Sequence, residues 1–392
     1  MKITAIDPIA LGYRKSDPPM ARNFAVVRVE TDAGIIGWGE ASTNWGHSYP
    51  TVFVAAVRDV CAAPLLGTDP TDVRGRLAQL HVLLDGYLGW EGLSSQVIGA
   101  LEMACWDILG QAVGLPLHRL LGSANRPLRL YGTGTTMFEE TAAFHAHYFD
   151  EAIAHGFRGV KGRLGRTVDD DVATVAAVRE HVGTDALIGV DSYWFHDART
   201  ALQVAERLAP LGVGFFEEPV PQIRVDELAW LAQRSPIPIA VGERVYSPMQ
   251  FDQLARAGAA NVFQPDASIC GGILACLEVA AIASRRGILL APHIGGPTII
   301  GLAANLHWAV VADAWWMEYD IDPWQPLITE IIAGGGGPRI GLGDIVDGEL
   351  CAPDGPGLGV SLPDDVAERF PFVPGDTYAE VFPEHETGRS RR

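Results

Sequence analysis

The chain has 392 residues, with 48 Asp and Glu against 29 Lys and Arg and a formal net charge of −19 at pH 7. That length exceeds one ordinary small domain and suits a large α/β barrel carrying a second, modest domain. The charge excludes a protein that neutralises a nucleic-acid backbone, which needs a basic face; an anionic substrate would need a local cation, such as a divalent metal held among the acidic residues.

Five cysteines (Cys61, Cys105, Cys270, Cys276 and Cys351) are scattered and form no C-x-x-C pair. Neither a disulfide framework nor a zinc site is signalled, so buried free thiols are expected. The start, MKITAIDPIALGYRKSDPP, lacks a long apolar stretch followed by a small-residue cleavage site, and no later segment gives eighteen uninterrupted apolar residues. A cytoplasmic protein without a membrane partner is the expectation.

In chain order, strand-like alternation in NFAVVRVETDAGIIGWGEAS precedes helical patterns, an α+β layout for residues 1–125. Val97, Leu101, Ala104, Cys105, Ile108 and Leu109 recur at helical spacing, predicting a helix over 97–113 that stops at Gly114. HRLLGSANRPLRL reads as a domain junction. Residues 126–333 then repeat one unit: a short apolar run ending in a polar residue, a Gly/Pro-marked loop, and an amphipathic helix. Eight runs are present: RLYGTG, FRGVKGR, ALIGVD, VGFFEEP, IPIAVGE, NVFQPD, ILLAPH and AWWMEYD. Strands that are apolar throughout and alternate with helices imply a covered parallel sheet, and eight of them suggest a closed barrel, with an open doubly wound sheet as the alternative. The Gly- and Pro-rich segment from Gly334 to about Pro356 shows no convincing helix, and residues 334–392 are expected to return to the first domain, ending in a disordered tail. The glycines at 334–337 lie outside any strand–loop–helix context and read as a connector rather than a phosphate loop.

In a barrel of this kind the strand C-termini form one rim, where active sites are assembled. The residues closing the runs are Lys161 with Arg163, Asp191, Glu217 with Glu218, Glu243, Asp266, His293 and Glu318. Asp191, Glu217 and Glu243 fall 26 residues apart, one β/α unit per step, so three adjacent strands would present carboxylates at one level. Such a group repels itself unless a cation sits among it, and oxygen-only ligands favour Mg²⁺ or Mn²⁺ over zinc. The alternative is three separate acids capping helix N-termini.

The segments LIGVD, FFEEPVP, IAVGER, QPDASICGGI and APHIGG, in this order, resemble the enolase superfamily, and the pattern is similar to its mandelate racemase subgroup. ALEMACWDILGQAVGLPLHRLLG resembles the capping-domain helix of the same family, so the likeness covers nearly the whole chain. The resemblance implies an α+β capping domain over a modified (β/α)₇β barrel of TIM type. It also implies Asp191, Glu217 and Glu243 as Mg²⁺ ligands, Glu218 as their support, and a His293–Asp266 dyad as base. Glu318 matches the position that hydrogen-bonds the substrate carboxylate, a role requiring a protonated acid or a bridging water. Assemblies from dimer to octamer are implied as well.

One departure bears on the reaction. The subgroup places K-x-K at the end of the second barrel strand, whereas this chain has Lys161, Gly162 and Arg163. Arginine is always protonated and makes a poor base. Racemisation needs bases on both faces of the α-carbon, while elimination needs one base and an acid, so dehydration of a sugar acid is expected ahead of lactone cycloisomerisation or of racemisation and epimerisation. Tyr193, two residues past Asp191, stands where some acid-sugar dehydratases of the family carry a His acid. By position, the cap loops that select substrate contain Arg14, Arg22, Asn44, Trp45 and His47, which suit a hydroxylated acid. Two further readings stand: an aldolase barrel with Lys161 as a Schiff-base lysine, and a non-catalytic homologue that keeps only the metal site.

Overall fold

The computed structural model describes residues 1–392 other than 17–18, 43–48, 87, 135–140, 166, 194–195, 322–325, 334–339 and 375–392. The first unit is an antiparallel sheet of β1 (Ile3–Ser16), β2 (Pro19–Thr31) and β3 (Ile36–Ala41), in that order, with helices α1 (Pro50–Ala56), α2 (Val73–Leu84) and α3 (Leu93–Val113). Alternation along β2 sends Ala25, Val27 and Val29 into the cluster beneath these helices, whereas Phe24 and Val26 join the large cluster that contains the barrel. Both faces of this sheet are therefore covered. Helix α3 starts four residues earlier than its apolar spacing indicates. It ends as expected, at Gly114, whose left-handed φ of 70° lets its N–H turn back to the Gln111 carbonyl. Against its middle, Gly39 of β3 lies so close that a Cβ there would overlap the Ala100 carbonyl oxygen.

The eight apolar runs form parallel strands: β4 (Leu128–Thr133), β5 (Gly159–Arg163), β6 (Leu187–Asp191), β7 (Phe215–Glu217), β8 (Ile239–Val241), β9 (Val262–Phe263), β10 (Leu289–Leu290) and β11 (Met317–Asp320). The ladder runs from β10 back to β4 and on to β11. Trp315 N donates to Leu290 O at 2.9 Å and Glu318 N to Pro292 O at 3.1 Å, joining the two ends into a barrel rather than an open sheet. Between the strands lie α4 (Ala142–Tyr148), α5 (Asp150–Ala154), α6 (Val168–Val182), α7 (Ala198–Leu208), α8 (Val225–Ala232), α9 (Pro248–Ala257), α10 (Ile273–Arg286) and α11 (Ile299–Ala312). Side chains of Thr141, Thr167, Asp197, Ser247 and Thr298 accept from the first-turn N–H groups of their helices, which fixes where those helices begin. Tyr131, Phe215, Ala240, Val262 and Ala291 plug the barrel interior. Burying a Phe such as Phe215 contributes about 2–3 kcal/mol.

Two acids of the first unit lock it onto the barrel. Helix α10 follows Gly272, which has no side chain to cap it; instead Glu102 of α3 accepts from Ile273 N at 2.9 Å and Leu274 N at 3.0 Å. Glu40 of β3 accepts from Thr298 N at 2.8 Å, Thr298 Oγ1 at 2.6 Å and Gly301 N at 2.8 Å at the start of α11. Asp107 of α3 accepts from Trp38 N and Leu358 N, tying β3 to the C-terminal segment. That segment pairs β12 (Glu349–Leu350) with β4 and then bridges Pro371 to Leu11 of β1. The glycine run at 334–337 and the tail beyond 374 lie outside the described residues.

Four cysteines are buried free thiols; Cys351 departs from that expectation and is exposed, because it leaves β12 along the surface. Among the described residues no helix is long and apolar enough to cross a membrane.

Replacing Gly39 by Ala should destabilise the protein by about 2 kcal/mol or more, since backbone meets backbone there and neither side can yield; chemical denaturation measures it. Burial pushes Glu40, Glu102 and Asp107 up to about 7, against the hydrogen bonds that pull each down. A carboxyl whose folded pKa is raised gives stability that is complete below its unfolded pKa and is lost as pH rises through about 7, with a slope of up to about 1.4 kcal/mol per pH unit. The urea midpoint should therefore fall between about pH 5 and about pH 8, and fall less in Glu102→Gln, whose side chain cannot ionise.

Candidate active site

Alternation along the short strands decides which side chains enter the barrel. In β6, Ile188 and Val190 pack outward into the main core while Asp191 points in; in β7, Phe216 goes out while Phe215 and Glu217 go in. In β5, Val160 packs outward, leaving Lys161 and Arg163 on the inner face. Register then sets Arg163 beside Asp191 and Asp191 beside Glu217 on neighbouring strands. Glu243 does not share that level. The residue paired with Glu217 is Ala240, and Glu243 reaches the group from two positions beyond the end of β8. Oxygens of Asp191, Glu217 and Glu243 nonetheless lie within 4.8 Å of one another, and all three residues are buried.

Each of these carboxylates has a cation of the protein against it. Lys161 Nζ donates to both oxygens of Glu217, at 2.9 and 2.8 Å, and lies 2.7 Å from Glu318 Oε1. Arg163 donates to Asp191 Oδ2 at 2.8 Å. Arg244 is in contact with Glu243 and donates to Glu218. Gln264 Nε2 adds a bond to Glu217 Oε2 at 2.7 Å. Burial raises the Glu217 and Glu218 carboxyls, with Lys161 and Arg244 opposing the rise. Burial alone would lower Lys161, but Glu217 and Glu318 outweigh it and raise its pKa, so its amine is held as an ammonium. Glu318 is also pressed upward by burial, yet Lys161 and His293 outweigh that and hold it below the usual range. It stands as an ionised partner of Lys161, not as the protonated acid that direct hydrogen bonding to a carboxylate would require.

Around the mouth, six buried carboxyl groups (Asp191, Glu217, Glu218, Glu243, Asp266 and Glu318) face three permanent cations, Lys161, Arg163 and Arg244. The surplus is negative and the convergent donors are carboxylate oxygens, which fits a hard divalent cation held by Asp191, Glu217 and Glu243.

His293 follows β10, its imidazole caught between acids. Nδ1 lies 3.1 Å from Asp266 Oδ2, while Nε2 lies 3.3 Å from Glu243 Oε2 and 3.9 Å from Glu318 Oε2. Burial raises the Asp266 carboxyl, but His293, Ser268 and Asn305 together bring it below its ordinary value. Asp266 thus orients the ring through Nδ1 and leaves the Nε2 edge toward Glu243 and Glu318, which line the mouth with it.

Tyr193 has a φ of 51° and Glu218 of 39°, backbone that non-glycine residues seldom adopt, and both sit at strand ends on the rim. The Tyr193 N–H donates to Asp191 Oδ1 at 2.8 Å, and its ring lies under two guanidinium groups, 5.3 Å from that of Arg163 and 4.3 Å from that of Arg244. Burial raises its phenol, with Arg244 and Arg163 opposing, so the hydroxyl keeps its proton. A cavity at the mouth is lined by Arg163, Tyr193, Glu243, His293, Glu318 and Asp320, among others.

Of the cap residues, Arg14 is exposed on β1. Arg22 is buried and reaches the barrel, its guanidinium donating to Asp320 Oδ2 at 3.2 Å and Gly296 O at 3.3 Å, so it backs the cavity wall through those residues. Asn44, Trp45 and His47 lie outside the described residues.

Residues 145–366 match the enolase C-terminal domain-like family, and residues 15–122 match the N-terminal domain of the mandelate racemase/muconate lactonizing enzyme family. The chain belongs to the enolase superfamily. It is 30% identical to D-galactarolactone cycloisomerase of Agrobacterium fabrum, over 94% of this chain and 99% of that one. It is 31% identical to arabinonate dehydratase of Saccharolobus solfataricus, over 88% and 90% of the two chains. The solved structure of an enolase superfamily member from Polaromonas sp. JS666 superposes with a TM-score of 0.88 at 30% identity, covering 97% of this chain and 100% of that one.

In this enolase superfamily member three residues of the mouth escaped the sequence reading. Asp320 follows Glu318 by two positions in β11 and so shares its face, a signal that was available. Gln264 precedes Asp266 by two in the same way. Arg244 had no such signal: it adjoins Glu243 beyond the strand, where alternation no longer assigns a face.

Proposed function

We propose that the chain is a metal-dependent enzyme that removes the α-proton of a sugar acid and eliminates water to give a 2-keto-3-deoxy acid. The observation that carries this reading is the asymmetry of the mouth among the described residues: one competent base, His293 braced by Asp266, with the position of a second base held by Arg163, a permanent cation paired with Asp191. Mg²⁺, or Mn²⁺ in its place, held by Asp191, Glu217 and Glu243, would supply positive charge beside the substrate carboxylate as the α-proton leaves.

The chain's own groups divide the remaining work. His293 Nε2 takes the α-proton, and Asp266 stabilises the imidazolium that forms. The Lys161 ammonium stands by to meet the charge accumulating on the substrate carboxylate. The β-hydroxyl departs with the proton returned by His293, so the C–O bond breaks as water forms; the Tyr193 phenol donates a hydrogen bond to it. The resulting enol tautomerises to the 2-keto acid. A Schiff-base aldolase needs a neutral amine, which the ammonium pinned by Glu217 and Glu318 is not. Sugar acids are favoured as substrates because the cavity wall presents polar groups such as Asp320, and because both named relatives carry names for sugar-acid chemistry. Lactone cycloisomerisation is the second reading, supported by the Agrobacterium relative; it uses the same single base and is told apart by its product.

Across a panel of acid sugars and their lactones, Mg²⁺-dependent formation of a 2-keto acid is the expected outcome. His293→Asn should lower turnover and α-hydrogen exchange in D₂O by about 10³-fold while leaving Mn²⁺ binding intact. An inert panel with intact metal binding would instead support a non-catalytic homologue. Asp191→Asn and Glu217→Gln should each weaken Mn²⁺ binding by more than about tenfold in calorimetry. Chelation should abolish turnover, and activity that survives exhaustive EDTA dialysis would overturn the proposal.

A further inference from the structure

We propose that the outer wall of the barrel carries a second metal site of a different chemical kind, formed by His147, Asp150 and His181 and suited to a nitrogen-preferring divalent transition metal such as Zn²⁺. The three residues come from three helices. His147 lies in the last turn of α4, Asp150 opens α5, and His181 lies in the last turn of α6, which packs along α4. His181 Nε2 is 2.5 Å from Asp150 Oδ1, and His147 Nδ1 is 3.4 Å from Asp150 Oδ2. The two rings meet edge-on with centroids 5.0 Å apart, and one ligand atom from each residue falls within 4.8 Å of the others. Ligands about a tetrahedral zinc stand roughly 3.3 Å apart, so small side-chain rotations complete the set.

The donor set separates this site from the one in the barrel mouth. Two imidazoles and one carboxylate favour the later first-row metals, whereas three carboxylates favour Mg²⁺. A carboxylate paired with one imidazolium would account for His181 alone; it gives no reason for a second imidazole at the other oxygen. The side chains are 70%, 59% and 27% exposed for His147, Asp150 and His181, so water can fill the remaining coordination positions. Helices run back against the strands, and the last turns of α4 and α6 therefore lie at the end of the barrel opposite the strand C-termini that carry Asp191 and Glu217. A metal there joins the α4–α5 corner to α6 and stabilises the wall without entering the mouth.

Titration of the full-length protein with ZnCl₂ in excess MgCl₂, followed calorimetrically, tests this. The expected result is one Zn²⁺ per chain, retained in Glu217→Gln and weakened at least about tenfold in each of His147→Asn and His181→Asn, as loss of one of three ligands requires. Zn²⁺ should also raise the Tm of the wild-type protein and not that of the double histidine variant. Cu²⁺ offers a second readout, because its electron paramagnetic resonance spectrum should show nitrogen coupling that His181→Asn removes. Zn²⁺ binding unchanged in both histidine variants, or lost only in Glu217→Gln, would overturn the proposal.

Discussion

Six carboxyl groups share the barrel mouth with three permanent cations, and the surrounding structure is arranged to hold that cluster together against its own repulsion. Removed from water, like charges a few ångströms apart interact far more strongly than at a surface, so each acid needs a fixed partner. The strand ladder supplies part of the answer by setting Arg163 beside Asp191. Side-chain reach supplies the rest, with Lys161 bridging Glu217 and Glu318, and Arg244 joining Glu218 and Glu243. The positive φ at Tyr193 is held where its N–H donates to Asp191 Oδ1 and its ring lies beside the Arg163 and Arg244 guanidinium groups, and Glu218, with its own positive φ, accepts from Arg244.

The same chemistry recurs at the seam between the two units. Glu40 and Glu102 cross from the cap to the N-termini of α11 and α10, where their carboxyl oxygens accept from N–H groups that the helices leave unsatisfied. A seam built from directional bonds fixes the angle of docking more tightly than apolar contact does. It also brings Arg22 to Asp320, so a strand of the cap helps to shape a wall made by the last barrel strand.

His293 illustrates how position separates two chemically similar roles. Both of its nitrogens face carboxylates, yet Asp266 is fixed by Ser268 and Asn305, whereas Glu243 and Glu318 border the cavity. One side therefore orients the ring, and the other faces the cavity. Arg163, on the neighbouring inner face, cannot mirror that role because its guanidinium never gives up its proton.

The sequence by itself determined the eight strands, the end of α3 and the rim set from Lys161 to Glu217, because short apolar runs recurring between helices mark covered parallel strands, the residues closing them mark the rim, and glycine marks a stop. It also named His293 and Asp266 as rim residues. Only the tertiary structure decided that Glu243 arrives from beyond its strand, that Arg244 completes its pairing, and that Arg22 acts through Asp320. The reason is physical: alternation carries information only while the backbone stays extended, and contacts made past a strand end or across the cap–barrel seam depend on barrel tilt and docking, which no local pattern encodes.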